Sequence, residues 1–401
     1  MKTRTNSIIL LFLASLSIIF LIITLNSEDE IKGPPEELPK GILVNEIPEN
    51  TDILFVSMRY VLNDLDCLDE NYEVKDNFLN DKECIKKIFS AESNVLASPR
   101  QLYGLNMKTG EVTQLTNIDC DFSSLKPIDS TTIMAIGACS DTDNDGVIST
   151  NDEVNIFLIK LKEKKVDCLT CGLNLSSINN PDYSNVNKKI LFSAQKNGVF
   201  HNYLLTLDLK GNLEQITSEE NYMDFDCSWS EDGTKIVFSR LPVQDYPWII
   251  PSQIWLMDAD GTNQIKITEG GSNPNNEEPH EPYPIGIDAD PDLNLDNKKI
   301  VFSRLKTGKQ NEPFGVYELI TLDIETGKET VLDSCYANMI PEWKTQGIVF
   351  IRQIGSSTSV MDRRQSIYIY RDDVFSELEP KPYNVFPVGS NGASWIDFEE
   401  N

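Results

Sequence analysis

Residues 141–152 read Asp-Thr-Asp-Asn-Asp-Gly-Val-Ile-Ser-Thr-Asn-Asp. Carboxylates at loop positions one, three and five, glycine at six, a backbone carbonyl at seven and an acid at twelve form the pattern that wraps a calcium ion in oxygen. Asp141, Asp143 and Asp145 turn carboxylates inward, Val147 offers its carbonyl, and Asp152 closes the shell. Gly146 permits the sharp turn and Ile148 anchors the loop. Aspartate stands at position twelve where glutamate is usual, so Glu153 is a second candidate for the closing ligand. The flanking stretches 133–137 and 155–160 alternate as strands, which makes this the loop of an EF-hand without its helices. Calcium here stiffens a long connection. Switching is not expected, because Lys2 and Arg4 ahead of the apolar run 8–25 mark the chain for export, and exported proteins meet steady millimolar calcium.

Eight cysteines come next in chemical interest: Cys67, Cys84, Cys120, Cys139, Cys168, Cys171, Cys227 and Cys335. An even number in an exported chain implies disulfides. Cys120 and Cys139 flank two consecutive strands and form the first expected pair; Cys67 and Cys84 form the second. Cys168-Leu-Thr-Cys171 has the spacing of a redox motif, but no strand-then-helix context surrounds it, so it reads as structural. No pairing follows from sequence for Cys168, Cys171, Cys227 and Cys335. Tyr246 and Trp248, in a Pro-bounded loop over 242–251, suit a protein or sugar contact as well as packing on a neighbouring loop. His280 lies among carboxylates in 276–284 and reads as part of a solvated loop, with metal binding the alternative.

A catalytic signature is not among these residues. The sequence has no Gly-x-Ser-x-Gly elbow, no glycine-rich phosphate loop and no His-Glu-x-x-His. With 2 histidines, a zinc site built on three of them is excluded. The 63 acidic residues could pair as in a glycosidase, but so many acids form pairs by chance. Against 35 basic residues they give a net charge of -28, which repels phosphate backbones and anionic membranes. The 40% hydrophobic content is globular rather than disordered.

Positioning these residues requires a scaffold, and the scaffold repeats. One pattern recurs: a Pro or Cys, an aromatic or Leu two residues on, a turn, then an apolar triplet. It runs over Cys227–Phe238, Pro291–Phe302, Pro181–Phe192 and, shortened, Pro341–Phe350, with weaker triplets at Ile133–Ala135 and Ile53–Phe55. Each triplet precedes two alternating strands joined by Asp-Gly, Lys-Gly or Thr-Gly, which supply the positive φ of tight hairpins. Short strands repeated every 40–50 residues or so are the signature of propeller blades. Six triplets give an all-β, six-bladed propeller. Ala393–Phe398 starts a repeat that Ile53–Phe55 continues, so the terminal strands are expected to share a blade and close the ring.

The stretch Trp229-Ser-Glu-Asp-Gly-Thr-Lys-Ile-Val-Phe238, followed by Ile254-Trp-Leu-Met-Asp-Ala-Asp-Gly261, resembles the repeat of TolB-type six-bladed propellers. The resemblance covers roughly 50–401 and lacks the α/β domain that precedes the propeller in TolB. It implies the fold; propellers of this type include envelope scaffolds and peptidase gates.

Upstream, Lys2 and Arg4 precede an uncharged apolar run from Ile8 to Leu25, and Glu28, Asp29 and Glu30 follow it. This charge order sends the body across a membrane, with residues 1–27 a membrane anchor or a cleaved signal peptide. Residues 28–48 read as an acidic linker and 49–401 as the propeller. The long insertions, 61–99, 139–153, 242–251, 269–287 and 354–365, belong to connections that leave one face, and such loops mark a working surface. The reading is an exported, non-enzymatic binding or scaffold protein of the cell envelope with a structural calcium site and a protein or glycan partner. It sits at the periplasmic or extracellular side, bound to membrane only through its N-terminal segment. The alternative is a carbohydrate-active hydrolase or lyase, which requires two or three acids converging at the central channel with raised pKa values.

Overall fold

The computed structural model describes residues 40–61, 96–97, 100–144, 146, 148–149, 151–196, 198, 201–243, 252–270, 287–306, 316–354, 364–378, 385–387 and 393–396. Strands fill them, and they contain no helix. Three sheets have four strands each in simple meander order: Asp121–Asp129 to Lys165–Cys168, Leu175–Ser184 to Leu213–Gln215, and Tyr222–Trp229 to Ile265–Lys266. An eight-stranded sheet joins two further meanders, Asp288–Leu293 to Glu329–Asp333 and Ala337–Lys344 to Val374–Leu378, through a single parallel contact between Tyr317 and Ala337. The last sheet brings the chain ends together. Ile53, Leu54 and Phe55 pair antiparallel with Trp395, Ser394 and Ala393.

The apolar triplets explain why the sheets stack. Each lies on the second strand of its meander, and Ile236, Val237 and Phe238 are all fully buried. Strand side chains alternate between faces. Ile236 and Phe238 therefore enter a core shared with Leu191 and Leu204 of the preceding sheet, while Val237 enters one shared with Ile300 and Phe302 of the following sheet. A strand buried on both faces must read as a continuous apolar run. The same arrangement recurs between every consecutive pair of sheets, and Trp395 and Phe55 pack against Val349 and Ile367 to complete the circuit. Each such side chain contributes roughly 1.5–3 kcal/mol by leaving water.

Buried ion pairs tie first strand to second. Arg240 bonds Asp224 at 2.6 Å and Arg304 bonds Asp288 at 2.5 Å, in cross-strand register; at the corresponding place Arg352 bonds Asn338 at 2.9 Å.

Part of the expected linker is built into the body. Gly41–Ile42 pairs with Thr116–Asn117, and Ile47 enters the first core with Ile42 and Val44 beside it. The apolar segment 8–25 lies outside the described residues.

In an antiparallel meander the second-to-third connections and the links between sheets leave from the same end. Insertions 61–99, 139–153, 242–251 and 354–365 join second strands to third, and 269–287 links two sheets.

Candidate functional site

The acidic loop joins strands Thr132–Ala138 and Asn155–Lys160. Asp141, Asp143 and Asp152 converge, each offering a carboxylate oxygen within 4.8 Å of the others. Asp141 and Asp143 are exposed, whereas Asp152 is 6% exposed. Backbone N–H groups hold the carboxylates in place. Asp141 accepts from Asn144 at 2.7 Å and from Gly146 at 2.9 Å. Asp152 accepts from the N–H of Thr142 at 2.5 Å, Asp143 at 3.2 Å and Ser149 at 2.9 Å. The N–H groups of Ser149 and then Thr142 hold the Asp152 carboxyl below the usual carboxylate range. It therefore stays ionised at neutral pH, as a hard-cation ligand must. Gly146 adopts φ 88°, a conformation glycine takes without steric cost. Three carboxylates this close repel one another, and a cation among them would relieve that repulsion. This trio could hold a metal ion. Glu153 is directed elsewhere: its carboxylate accepts from Asn155 Nδ2 at 3.3 Å. Asp145 and Val147 lie outside the described residues.

Two disulfides bracket the loop. Cys120 is bonded to Cys139 at the base of the loop, and Cys168 to Cys171 at the end of the outer strand of the same sheet. Cys227 and Cys335 are free thiols, the first buried and the second exposed. Burial pushes the Cys227 thiol well up, so it is inert. Cys67, Cys84, Tyr246, Trp248 and His280 all lie outside the described residues.

The second feature is a central channel, open to solvent. The first strands of successive sheets line it. Four of them carry a bulge with a residue at positive φ: Asn180 (47°), Asp226 (47°), Asp290 (51°) and Ile340 (55°). The bulge turns a polar side chain toward the axis two residues later, giving Asp182, Ser228, Asp292 and Glu342. Burial raises the Asp226 and Asp290 carboxyls, the latter to about 6, and places Asp292 at about 7. Burial would lower the Lys126 ammonium, but Glu342, at 2.9 Å, and Asp182 and Asp292 raise it on balance.

Most of these acids have a structural partner in the next sheet. Asp182 accepts the Trp229 N–H at 2.7 Å, Asp292 the Trp343 N–H at 2.6 Å, and Asp290 the Ile340 N–H at 3.2 Å. Asn180 donates to Asp226, and Ser228 Oγ donates to Asp292 at 2.5 Å. The channel acids are staples between neighbouring sheets. Sequence reading missed them, although the signal was present: the acid directly follows the repeated proline in Pro181-Asp182, Pro291-Asp292 and Pro341-Glu342.

No protein-family model matches the sequence, and no curated protein matches it. Solved structures do resemble it. TolB from Acinetobacter baumannii aligns with a TM-score of 0.52 at 15% identity, over 87% of this chain and 68% of that one. A putative TolB from Agrobacterium tumefaciens aligns with a TM-score of 0.50 at 13% identity, over 73% of this chain and 97% of that one. At such identity the likeness carries the fold alone, a TolB-type β-propeller.

Proposed function

We propose that this chain is an exported, six-bladed β-propeller that acts as a binding or scaffold protein of the cell envelope, with a structural calcium site in the 141–152 loop. The observation that carries this reading is the convergence of Asp141, Asp143 and Asp152 in a loop whose sequence also supplies Asp145 and Val147. Hard oxygen donors around a glycine turn select calcium over softer metals. Six mutually packed cores support the blade number. Two disulfides support an oxidising compartment, periplasmic or extracellular, reached through residues 1–27 as anchor or signal peptide, with the propeller over 49–401. Long connections leaving one end support a partner surface there, with Tyr246 and Trp248 as contacts for a protein or glycan.

The channel favours a second reading, a carbohydrate-active hydrolase or lyase, because Asp226, Asp290 and Asp292 are raised toward the range of a general acid. The binding reading is preferred because Asp290 and Asp292 already accept backbone N–H groups from the neighbouring sheet. Affinity capture from envelope extract with the full chain, in calcium and in chelator, tests the proposal. A specific partner supports it. Absence of any partner, together with cleavage of an oligosaccharide that D292N abolishes, would replace it with the second reading.

A further inference from the structure

Cys168 and Cys171 close a short turn after the outer strand Lys165–Cys168. Cys171 is exposed and Cys168 half-buried, so solvent reaches the Cys171 sulfur first. The other disulfide is shielded, with Cys120 at 5% exposure and Cys139 packed on the first core. The Cys171 N–H points at Cys168 Sγ, 3.0 Å away. A donor at that sulfur stabilises negative charge on it, which makes Cys168 the better leaving group.

Between the two cysteines, Thr170 is 2% exposed and anchors the turn to the base of the acidic loop. Its Oγ1 donates to Asn155 Oδ1 at 2.8 Å and accepts the Ile156 N–H at 2.9 Å. Asn155 Nδ2 donates to the Glu153 carboxylate at 3.3 Å. The Glu153 N–H donates to Thr142 Oγ1 at 2.9 Å, and that hydroxyl donates to Asp152 Oδ1 at 3.0 Å. A run of hydrogen bonds, passing through the side chain and then the backbone N–H of Glu153, thus leads from an accessible disulfide to the buried carboxylate of the acidic trio.

We propose that the Cys168–Cys171 disulfide is a reducible latch on the 141–152 loop, and that opening it weakens the loop's hold on a divalent cation. The reductant is a dithiol. One of its thiolates attacks Cys171 Sγ and breaks the Cys168–Cys171 bond; Cys168 leaves as a thiolate and takes up a proton. The second dithiol sulfur then displaces Cys171, which leaves as a thiolate and is protonated, while the reductant becomes a cyclic disulfide. Two electrons pass and two thiols form on the chain. Freed of the cross-link, the turn no longer pins Thr170, and Asn155 loses a fixed partner. Loss of an outer-shell partner weakens metal binding by about 10–100-fold when it touches a ligand directly. Thr170 is several bonds removed, so a weakening of about 5-fold is expected.

The affinity part of this inference rests on the proposed calcium site; the loosening of the loop does not. The test uses the full chain, titrated with dithiothreitol and mapped by alkylation and mass spectrometry. Calcium calorimetry and amide exchange over 139–153 are then measured in the oxidised and reduced states. Cys168 and Cys171 should be alkylated at dithiol concentrations that leave Cys120 and Cys139 bonded. Exchange should rise, and the calcium Kd should weaken about 5-fold. Oxidised Thr170→Val, which removes the hydroxyl at constant shape, should reproduce the weakening. Unchanged exchange and affinity with the bond demonstrably open would overturn the latch, as would earlier reduction of Cys120–Cys139. If the oxidised chain binds no calcium, the cation site fails and the exchange data alone decide the latch.

Discussion

Replacing Asp292 by asparagine should make the protein's stability less sensitive to pH, and the effect can be sized. Burial in the channel wall raises Asp292 to about 7, against the influence of Lys344 and Lys126 and with that of Glu342. In the unfolded chain the same group titrates near 3.9, about three units lower, and each unit corresponds to about 1.4 kcal/mol. The folded state therefore holds a proton that the unfolded state has lost. Stability falls as pH rises from about 4 to about 7, by up to roughly 4 kcal/mol. Asparagine carries no charge at any pH. Its Oδ1 can still accept the Trp343 N–H, and its Nδ2 can donate to Ser228 Oγ, which in wild type donates to Asp292. Relative to wild type, Asp292→Asn should gain about 2–4 kcal/mol between pH 4.5 and pH 8. Asp226 and Asp290 titrate in both proteins and largely cancel in the difference. Urea unfolding at the two pH values, followed by tryptophan fluorescence, measures it. A difference between variant and wild type that does not change with pH would refute the argument, and so would a variant that loses ground as pH rises.

Trp395→Ala should destabilise by about 3–5 kcal/mol, because it empties the core that joins the last strand to the first; thermal unfolding reads it, and a shift under 1 °C would count against ring closure. Arg240→Met leaves Asp224 buried without its cation and should cost about 3–5 kcal/mol, while adding Asp224→Asn should recover a large part. A double-mutant cycle by urea unfolding measures that coupling, and simple additivity would contradict it. Gly146→Val places a branched side chain at φ 88° and should lower calcium affinity at least several-fold in calorimetry, with little change in the melting temperature measured in chelator.

The strand pattern was legible because a second strand buried on both faces has to be apolar throughout. Ile236-Val237-Phe238 and Ile300-Val301-Phe302 announce themselves without any knowledge of their neighbours. Ring closure followed from the fragment at Ala393, since a lone first strand needs a second strand to pair with. The acidic loop was legible because its ligands are local in sequence. What depended on contacts between sheets was not: the Asp182 to Trp229 and Asp292 to Trp343 bonds are set by how the ring curves. The incorporation of Ile42 and Ile47 into the first core escaped notice for a related reason, because an acidic, proline-containing segment hides a few apolar anchors.

Calcium titration calorimetry on the full chain tests the cation site formed by Asp141, Asp143 and Asp152. One saturable site is expected, with a Kd of about 10⁻⁴ to 10⁻³ M as in extracellular modules, lost in Asp152→Asn and not filled by magnesium at the same concentration. No saturable heat up to about ten times that range, or wild-type binding by Asp152→Asn, would contradict it.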